Sequence, residues 1–364
     1  MKILFVITGI GLGHTIREEA LINEILKNKP KTKIEISGFK NSYRYFKDKF
    51  KTSKIIGHKF PETSFHVSLL KTAVANIPYP LYFLHDCIKL YFQVKRFKPD
   101  LMIVDMQPVG VFIGKLLGIK TVSIYNLNLE KWDDFMEKEE VTFGNKIHAK
   151  VFFRQISNTY KNSDIVVIPT VEKQKKRGKE NYVNPMIRVS PEKLPDVGVL
   201  MKKLELDKKP ILVMLGGSEF GFSVTEHIIN ISKKSREQFV LFGYKDFEED
   251  NVKSFKFKEN FLEYLKVCKG VIVIAGHNTL SEVIVYKKPA LIFPFKNYLE
   301  HYVNVYGLDD IATIRYLDNI SFEIINESVK EFLRNIPVLQ GRINEMNVKG
   351  NGASQAYKII FDKK

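Results

Sequence analysis

Short apolar runs rich in β-branched residues alternate along this chain with longer segments whose apolar positions recur every three to four residues. The alternation predicts parallel strands, buried on both faces and wrapped by helices. In the first half the pattern places strands at 3–8, 33–37, 101–105, 121–125 and 165–168, and helices at 14–27, 42–50, 72–97, 109–117 and 146–162. A Pro- and Lys-rich passage at 172–210 interrupts it, and then it starts again. The second series predicts strands at 211–215, 239–242, 270–274, 290–294 and 311–313, with helices at 223–233, 261–267, 279–286, 300–306 and 322–335. Two α/β domains in tandem are expected, at 1–190 and 200–343, joined near residues 185–205. Residues 344–364 read as a final helix that either domain can take up.

Composition narrows the classes. The 364 residues are 45% apolar, enough for full cores. Lys and Arg outnumber Asp and Glu by 57 to 41, and the net charge of +16 attracts nucleotides, nucleic acid or acidic lipid head groups. Nucleic acid is disfavoured, because the basic residues are scattered and no nucleic-acid module is visible. The two cysteines, Cys87 and Cys268, form neither a CxxC nor a Cys/His cluster, which argues against a disulfide scaffold or zinc module and fits a reducing cytosol. The opening apolar run is short and breaks into glycines, as a strand and turn would, not a secretion signal. No stretch of about 20 uncharged apolar residues is present. A cytoplasmic protein is expected, at most peripheral to the inner face of the membrane.

Three loops can carry chemistry. Gly9-Ile10-Gly11-Leu12-Gly13-His14 follows the first strand and opens a helix, where glycines admit close backbone approach and helix amides attract an anion. Its spacing is not GxGxxG, so a nicotinamide cofactor is disfavoured. His14 reads either as a capping or hydrogen-bonded histidine or as a general base. Leu215-Gly216-Gly217-Ser218-Glu219-Phe220-Gly221 stands in the same place in the second domain; it reads as a plain tight turn or as half of an anion site, and it is not a P-loop. The third stretch runs Gly276-His277-Asn278-Thr279-Leu280-Ser281-Glu282, then Lys288-Pro289-Ala290-Leu291-Ile292-Phe293-Pro294, then Glu300-His301-Tyr302-Val303-Asn304. There Asn278 or Thr279 can cap a helix whose amides grip phosphate, Glu282 can accept two ribose hydroxyls, and Glu300 and His301 can reach sugar hydroxyls.

This ordered set resembles the nucleotide-sugar signature of GT-B glycosyltransferases, roughly HGGxNTxxE…KPxxxxP…(D/Q)QxxNA, and is most similar to MurG-like N-acetylglucosamine transferases and their archaeal relatives. UDP-glucuronosyl and plant UDP-sugar transferases look like more distant kin. The likeness runs from the GxGxGH start through Asn184-Pro185, Arg188 and the 216–218 glycines to residue 304. It implies two Rossmann-like domains facing each other across a cleft, the second holding a UDP-sugar and the first an acceptor. It also implies phosphate contacts from Arg188, Ser218, Asn278 and Thr279, ribose contacts from Glu282, and donor-sugar contacts from Glu300 and His301. Gly11, Gly13, Gly216, Gly217, Gly276 and His277 would line the nucleotide-sugar loops. His14 matches the histidine that deprotonates the acceptor hydroxyl, with Asp105 at a neighbouring strand end to orient it. The chain departs from the pattern at Ile274, where many relatives carry a histidine that His277 can replace, at Glu300-His301, where amides are usual, and at Arg188, which follows Asn184-Pro185 by one residue more than the usual spacing.

No DxD pair lies at a strand end near these loops; Asp133-Asp134 and Asp309-Asp310 read as exposed turn or helix-start residues. No metal site and no cofactor beyond the UDP-sugar co-substrate are therefore expected, with the leaving diphosphate balanced by helix and glycine-loop amides. Residues 141–163 carry no acidic side chain, while Lys146, Lys150, Arg154 and Lys161 flank Ile147, Val151, Phe152, Ile156 and Tyr160. That segment reads either as a core helix with solvated cations or as a basic face on an anionic membrane, and residues 77–98 and the Lys-rich loop 173–179 are open in the same way. An inverting transfer to a lipid-linked or other glycan acceptor is the expected activity. A UDP-sugar 2-epimerase of the same fold and a non-catalytic nucleotide-sugar-binding subunit are the alternatives.

Overall fold

The computed structural model describes residues 1–59, 69–139, 143–172, 174, 176–216, 219–249, 251–256, 258–296 and 298–362. The first sheet contains β1 (Lys2–Ile7), β2 (Lys33–Gly38), β3 (Lys51–Lys54), β4 (Leu101–Asp105), β5 (Thr121–Ile124), β6 (Ile165–Pro169) and β7 (Glu180–Val183), in the order β3-β2-β1-β4-β5-β6-β7. Every neighbouring pair is parallel. The connections are α1 (Gly13–Asn28), α2 (Lys40–Phe46), α3 (Leu69–Ala75), α4 (Tyr79–Phe97), α5 (Pro108–Leu116), α6 (Leu129–Lys138) and α7 (Phe143–Asn162). Alternate residues of β1 feed opposite faces: Ile3, Phe5 and Ile7 join a core with α1, while Leu4 and Val6 join one with α4 and α5. This is why the strand reads as a continuous apolar run. Each such side chain, fully buried, contributes roughly 1.5–3 kcal/mol.

The second sheet repeats the plan. After α8 (Val197–Lys203) come β8 (Ile211–Met214), α9 (Glu219–Ser232), β9 (Phe239–Phe242), β10 (Phe247–Glu249), β11 (Val252–Phe255), α10 (Phe261–Val267), β12 (Gly270–Ile274), α11 (His277–Val285), β13 (Ala290–Phe293), α12 (Leu299–Val305), β14 (Ala312–Ile314) and α13 (Phe322–Glu345). The order is β10-β11-β9-β8-β12-β13-β14, and only the edge strand β10 is antiparallel to its neighbour. In both sheets the strand order reverses direction at the centre, between β1 and β4 and between β8 and β12. Loops diverge there at the carboxyl ends of the strands and leave a crevice, the usual ligand position in open α/β sheets.

The described residues from Met1 to Arg188, together with Lys349 onward, form one compact unit, and Val189–Val348 form the other. The last helix, α14 (Gly352–Phe361), packs on α1, β6 and β7 of the first sheet. Its start is tied to the strand end by Asn184, whose amide N–H donates to Gln355 Oε1 at 2.7 Å and whose side chain donates to Asn351 Oδ1 at 2.6 Å. Two helix expectations change. The span 72–97 is not one helix, because Pro78 caps α4 and the chain turns at Asn76, which holds Lys59 at both its N–H and its C=O. Helix α13 continues to Glu345 through Pro337, anchored on either side by buried Phe332, Leu339 and Ile343. The passage 172–210 contains β7, a single 3-10 turn at Pro191–Lys193 and α8.

Candidate active site

In the first unit, β1 delivers the chain into the crevice and a glycine turn redirects it into α1. Gly11 takes a φ of +67°, a left-handed value that suits glycine. Gly9 is required for a different reason, since a Cβ there would lie 1.6 Å from the carbonyl oxygen of Phe39. The N-cap of α1 is Leu12, with Gly13 and His14 as the first helical residues, so His14 is not a cap. Its ring instead lies over the end of β4, with Nδ1 2.8 Å from Asp105 Oδ1, and it stacks on Tyr125 at 5.9 Å between centroids. Thus the structure brings together the two residues that the sequence proposed as base and orienter.

It adds a partner that sequence reasoning missed. Arg17, one turn after His14, is buried and donates to Asp105 through Nε at 3.3 Å and through Nη2 at 2.8 Å to each oxygen. Its Nη1 donates to Asn126 Oδ1 at 3.3 Å, just past β5. The signal was available: i, i+3 spacing places His14 and Arg17 on one face of the helix. Arg17 Nη2 also lies 2.9 Å from His14 Nδ1. Nδ1 cannot both accept from Arg17 and donate to Asp105; Arg17 Nη2 already has both Asp105 oxygens as acceptors, so Nδ1 carries the proton, donates it to Asp105 and leaves the lone pair on Nε2. Burial pushes the Asp105 carboxyl up, but the Arg17 and His14 charges and hydrogen bonds outweigh it and hold Asp105 below the usual carboxylate range. A second carboxyl, Glu18, is fully buried next to this set, with Oε1 3.9 Å from Arg17 Nε. Burial first, and then the Asp105 charge, push Glu18 well above the usual range.

In the second unit, Gly216 follows β8 with φ +72°, and Gly217 and Ser218 lie outside the described residues. Gly276 is the N-cap of α11, in an extended conformation, and Leu280 N–H donates to its carbonyl at 3.0 Å. Asn278 and Thr279 are therefore not caps, contrary to expectation. The helix begins one residue earlier than Asn278, at His277, because the backbone turns at Gly276 itself. His277, Asn278 and Thr279 form its first turn, whose amide edge has the positive end of the helix dipole. Glu282 is buried on the same helix. Asn304 on α12 donates to the Ala275 carbonyl at 2.9 Å and so fixes the turn between β12 and α11.

Glu300 and His301 open α12. Glu300 Oε2 accepts from Tyr298 OH at 2.9 Å. His301 is 5% exposed, packed between Phe295 and Tyr298, and its Nδ1 accepts the Phe295 N–H at 3.1 Å. Its ring proton is then on Nε2, the one polar atom left to meet a ligand. Burial pushes His301 down to about 3. Arg188 closes the first unit, half-buried, with its Nε lacking a hydrogen-bond partner among the described residues.

The basic segment divides between the two readings open at sequence level. On α7, Ile156 and Tyr160 are core, whereas Ile147 and Val151 are exposed. A longer stripe is exposed on α4, where Leu81, Leu84, Ile88 and Phe92 share one face, and α5 adds Phe112 and Leu116. Phe83 and Phe112 pack ring to ring at 5.8 Å and join the two helices. Among the described residues no helix is long and apolar enough to cross a membrane.

Comparison with known proteins agrees with this architecture. The model of glycosyl transferase family 1 matches residues 1–337. An uncharacterized glycosyltransferase of Methanosarcina acetivorans is 24% identical over 362 residues, covering 92% of this chain and 90% of its own length. A UDP-N-acetylglucosamine--N-acetylmuramyl-(pentapeptide) pyrophosphoryl-undecaprenol N-acetylglucosamine transferase of Alkaliphilus oremlandii is 22% identical over 372 residues, covering 93% and 92%. Among solved structures, MurG of Acinetobacter baumannii superposes with a TM-score of 0.65 at 14% identity, over 100% of this chain and 99% of its own. The spinosyn forosaminyltransferase SpnP gives 0.63 at 13% identity, with 99% of both chains covered. Two sheets whose strand order reverses at the centre, a glycine turn into α1 and a family match over most of the length converge: the chain belongs to glycosyl transferase family 1 and is a glycosyltransferase with the GT-B fold.

Proposed function

We propose that this enzyme moves a sugar, an N-acetylhexosamine, from a UDP-sugar to a hydroxyl of a lipid-linked glycan acceptor, with inversion and without a metal ion. The observation that carries the reading is His14 Nδ1 at 2.8 Å from Asp105 Oδ1 at the crevice of the first sheet. In that tautomer Nε2 accepts the acceptor's proton as its oxygen attacks the anomeric carbon. The bond to the UDP diphosphate breaks on the opposite face, and Asp105 balances the imidazolium. A histidine base of this kind contributes about 100- to 10,000-fold.

The diphosphate would be received by Gly216, Gly217, Ser218 and the first turn of α11, with Arg188 adding charge, Glu282 holding the ribose, and Glu300 and His301 the sugar. Helix amides supply the positive potential that a cation would otherwise provide. Support for the donor comes from relatives whose names specify UDP-N-acetylglucosamine. Support for a membrane-borne acceptor comes from the exposed apolar stripe of α4 and α5, with Lys95 at its end and the cations of α7 beside α5, a composition suited to an anionic leaflet.

A thermal-shift panel with chelator present tests the donor. UDP and UDP-N-acetylglucosamine should each raise the melting temperature, since a ligand at 100 times its Kd stabilises by about 2.7 kcal/mol. A shift with adenine or guanine nucleotides and none with UDP would overturn the reading.

A further inference from the structure

Glu18 is a buried ionisable group, beside the site, that the mechanism above leaves without a task. It sits on α1 next to Arg17, with none of its side chain exposed, and neither carboxyl oxygen has a hydrogen-bond donor among the described residues. Glu18 and Asp105 lie against the same nitrogen, Arg17 Nε, with Glu18 Oε1 at 3.9 Å and Asp105 Oδ2 at 3.3 Å, so the two carboxyls are neighbours. The local charges do not allow both to ionise. Arg17 supplies one cation, and it turns its guanidinium to Asp105, with Nη2 2.8 Å from each oxygen, while Glu18 is 3.9 Å from the nearer Nε. His14 from α1, Tyr125 from the end of β5 and Tyr160 from α7 are the other ionisable groups that face the Arg17–Asp105 pair, and burial holds the Tyr160 phenol in its neutral form. An ionised Glu18 would be a second buried anion with no cation of its own, and such a group takes up a proton instead.

We propose that Glu18 carries a proton and donates it in a hydrogen bond to Asp105, which makes Glu18 a positioning residue for His14. Asp105 then accepts from three directions: Arg17, Glu18 and the His14 Nδ1–H. Two of these donors are buried and immobile, so the carboxylate cannot rotate away from the ring, and the ring keeps its lone pair on Nε2. Glu18 touches neither substrate nor reacting atoms in this scheme; it acts through Asp105. The inference rests on His14 as the base only for its catalytic meaning, because its test needs no substrate.

The full-length protein is measured in two ways. Its infrared spectrum at neutral pH should contain the C=O stretch of a buried protonated carboxyl, which moves on carbon-13 labelling of glutamate and is missing from Glu18→Gln. Nitrogen-15 NMR of the histidine rings should show the His14 proton on Nδ1 in the wild type and in Glu18→Gln, whose carboxamide N–H can still donate to Asp105. In Glu18→Ala that donor is gone, and the other tautomer should gain about tenfold in population, the equivalent of one hydrogen bond. Should Glu18→Ala not fold, the infrared comparison of wild type and Glu18→Gln decides alone. An absent protonated-carboxyl band, or a folded Glu18→Ala with an unchanged His14 tautomer, overturns the proposal. A His14→Ala enzyme that keeps its turnover would instead remove the base and leave the Glu18 proton standing.

Discussion

Arg17 and Asp105 hold each other through Nε and Nη2, with at most 1% of either side chain exposed. The pair joins α1 to the end of β4, so the helix that carries His14 is locked to the strand that orients it. Breaking a buried pair by removing one partner costs about 3–5 kcal/mol, because the other charge is left without compensation. Geometry at the imidazole and stability of the first unit therefore depend on the same contact.

Replacing His14 separates chemistry from structure. His14→Ala should lower turnover by about two orders of magnitude or more. Its melting temperature should change little, since His14 is not the N-cap of α1 and the Arg17–Asp105 pair remains. UDP affinity should stay within a few-fold, measured by calorimetry on the same preparation.

Glu282→Ala should weaken UDP binding with little effect on folding in the other unit. Each ribose hydrogen bond to a charged acceptor contributes about 1.5–3 kcal/mol at most, less where water substitutes. An unchanged Kd in a folded Glu282→Ala protein would remove the ribose assignment.

His301 predicts an acid limb in stability. Its folded value is depressed to about 3, so the folded state keeps the ring neutral while the unfolded chain takes up a proton below about 6.5. The contribution is fully present above that value and declines as pH falls towards about 3, at roughly 1.4 kcal/mol per unit. His301→Gln, which retains an acceptor for the Phe295 N–H, should flatten that limb in melting curves taken across the window.

The apolar stripe predicts membrane contact. Vesicles rich in anionic lipid should sediment the protein at low salt, and a Leu81→Glu, Phe92→Glu double variant should stay in the supernatant. Each Lys or Arg near the surface adds about 1 kcal/mol, screened over about 8 Å at physiological salt. Equal sedimentation of wild type and variant would argue for a different docking surface.

Much of this was legible in the chain itself. The β4, β9, α10 and β12 spans agree with their sequence expectations residue for residue, because each is a buried apolar run or a short amphipathic turn bounded by Gly, Pro or polar residues. The glycine turn before α1 was equally plain, since its backbone conformation is local. What the pattern did not show was short or edge-bound structure. β3, with sequence KTSK, and β10, with FEE, have no apolar run, and they are strands because a neighbouring strand offers them a ladder. The requirement for Gly9 was likewise hidden, for its reason is the Phe39 carbonyl thirty residues on.

The same division runs through the site. Sequence by itself determined that His14 opens a helix after a glycine turn and that Asp105 ends a neighbouring strand, because periodicity and punctuation act over a few residues. Only the tertiary structure decided that Arg17 points inward at Asp105 instead of outward to solvent, that Glu18 lies beside it with no cation of its own, and that His301 gives its Nδ1 to Phe295. A charged residue on a helix reads as exposed until the packing of that helix is known. Burial, which sets both the partner and the protonation state, is a property of the assembled core and not of any short stretch of sequence.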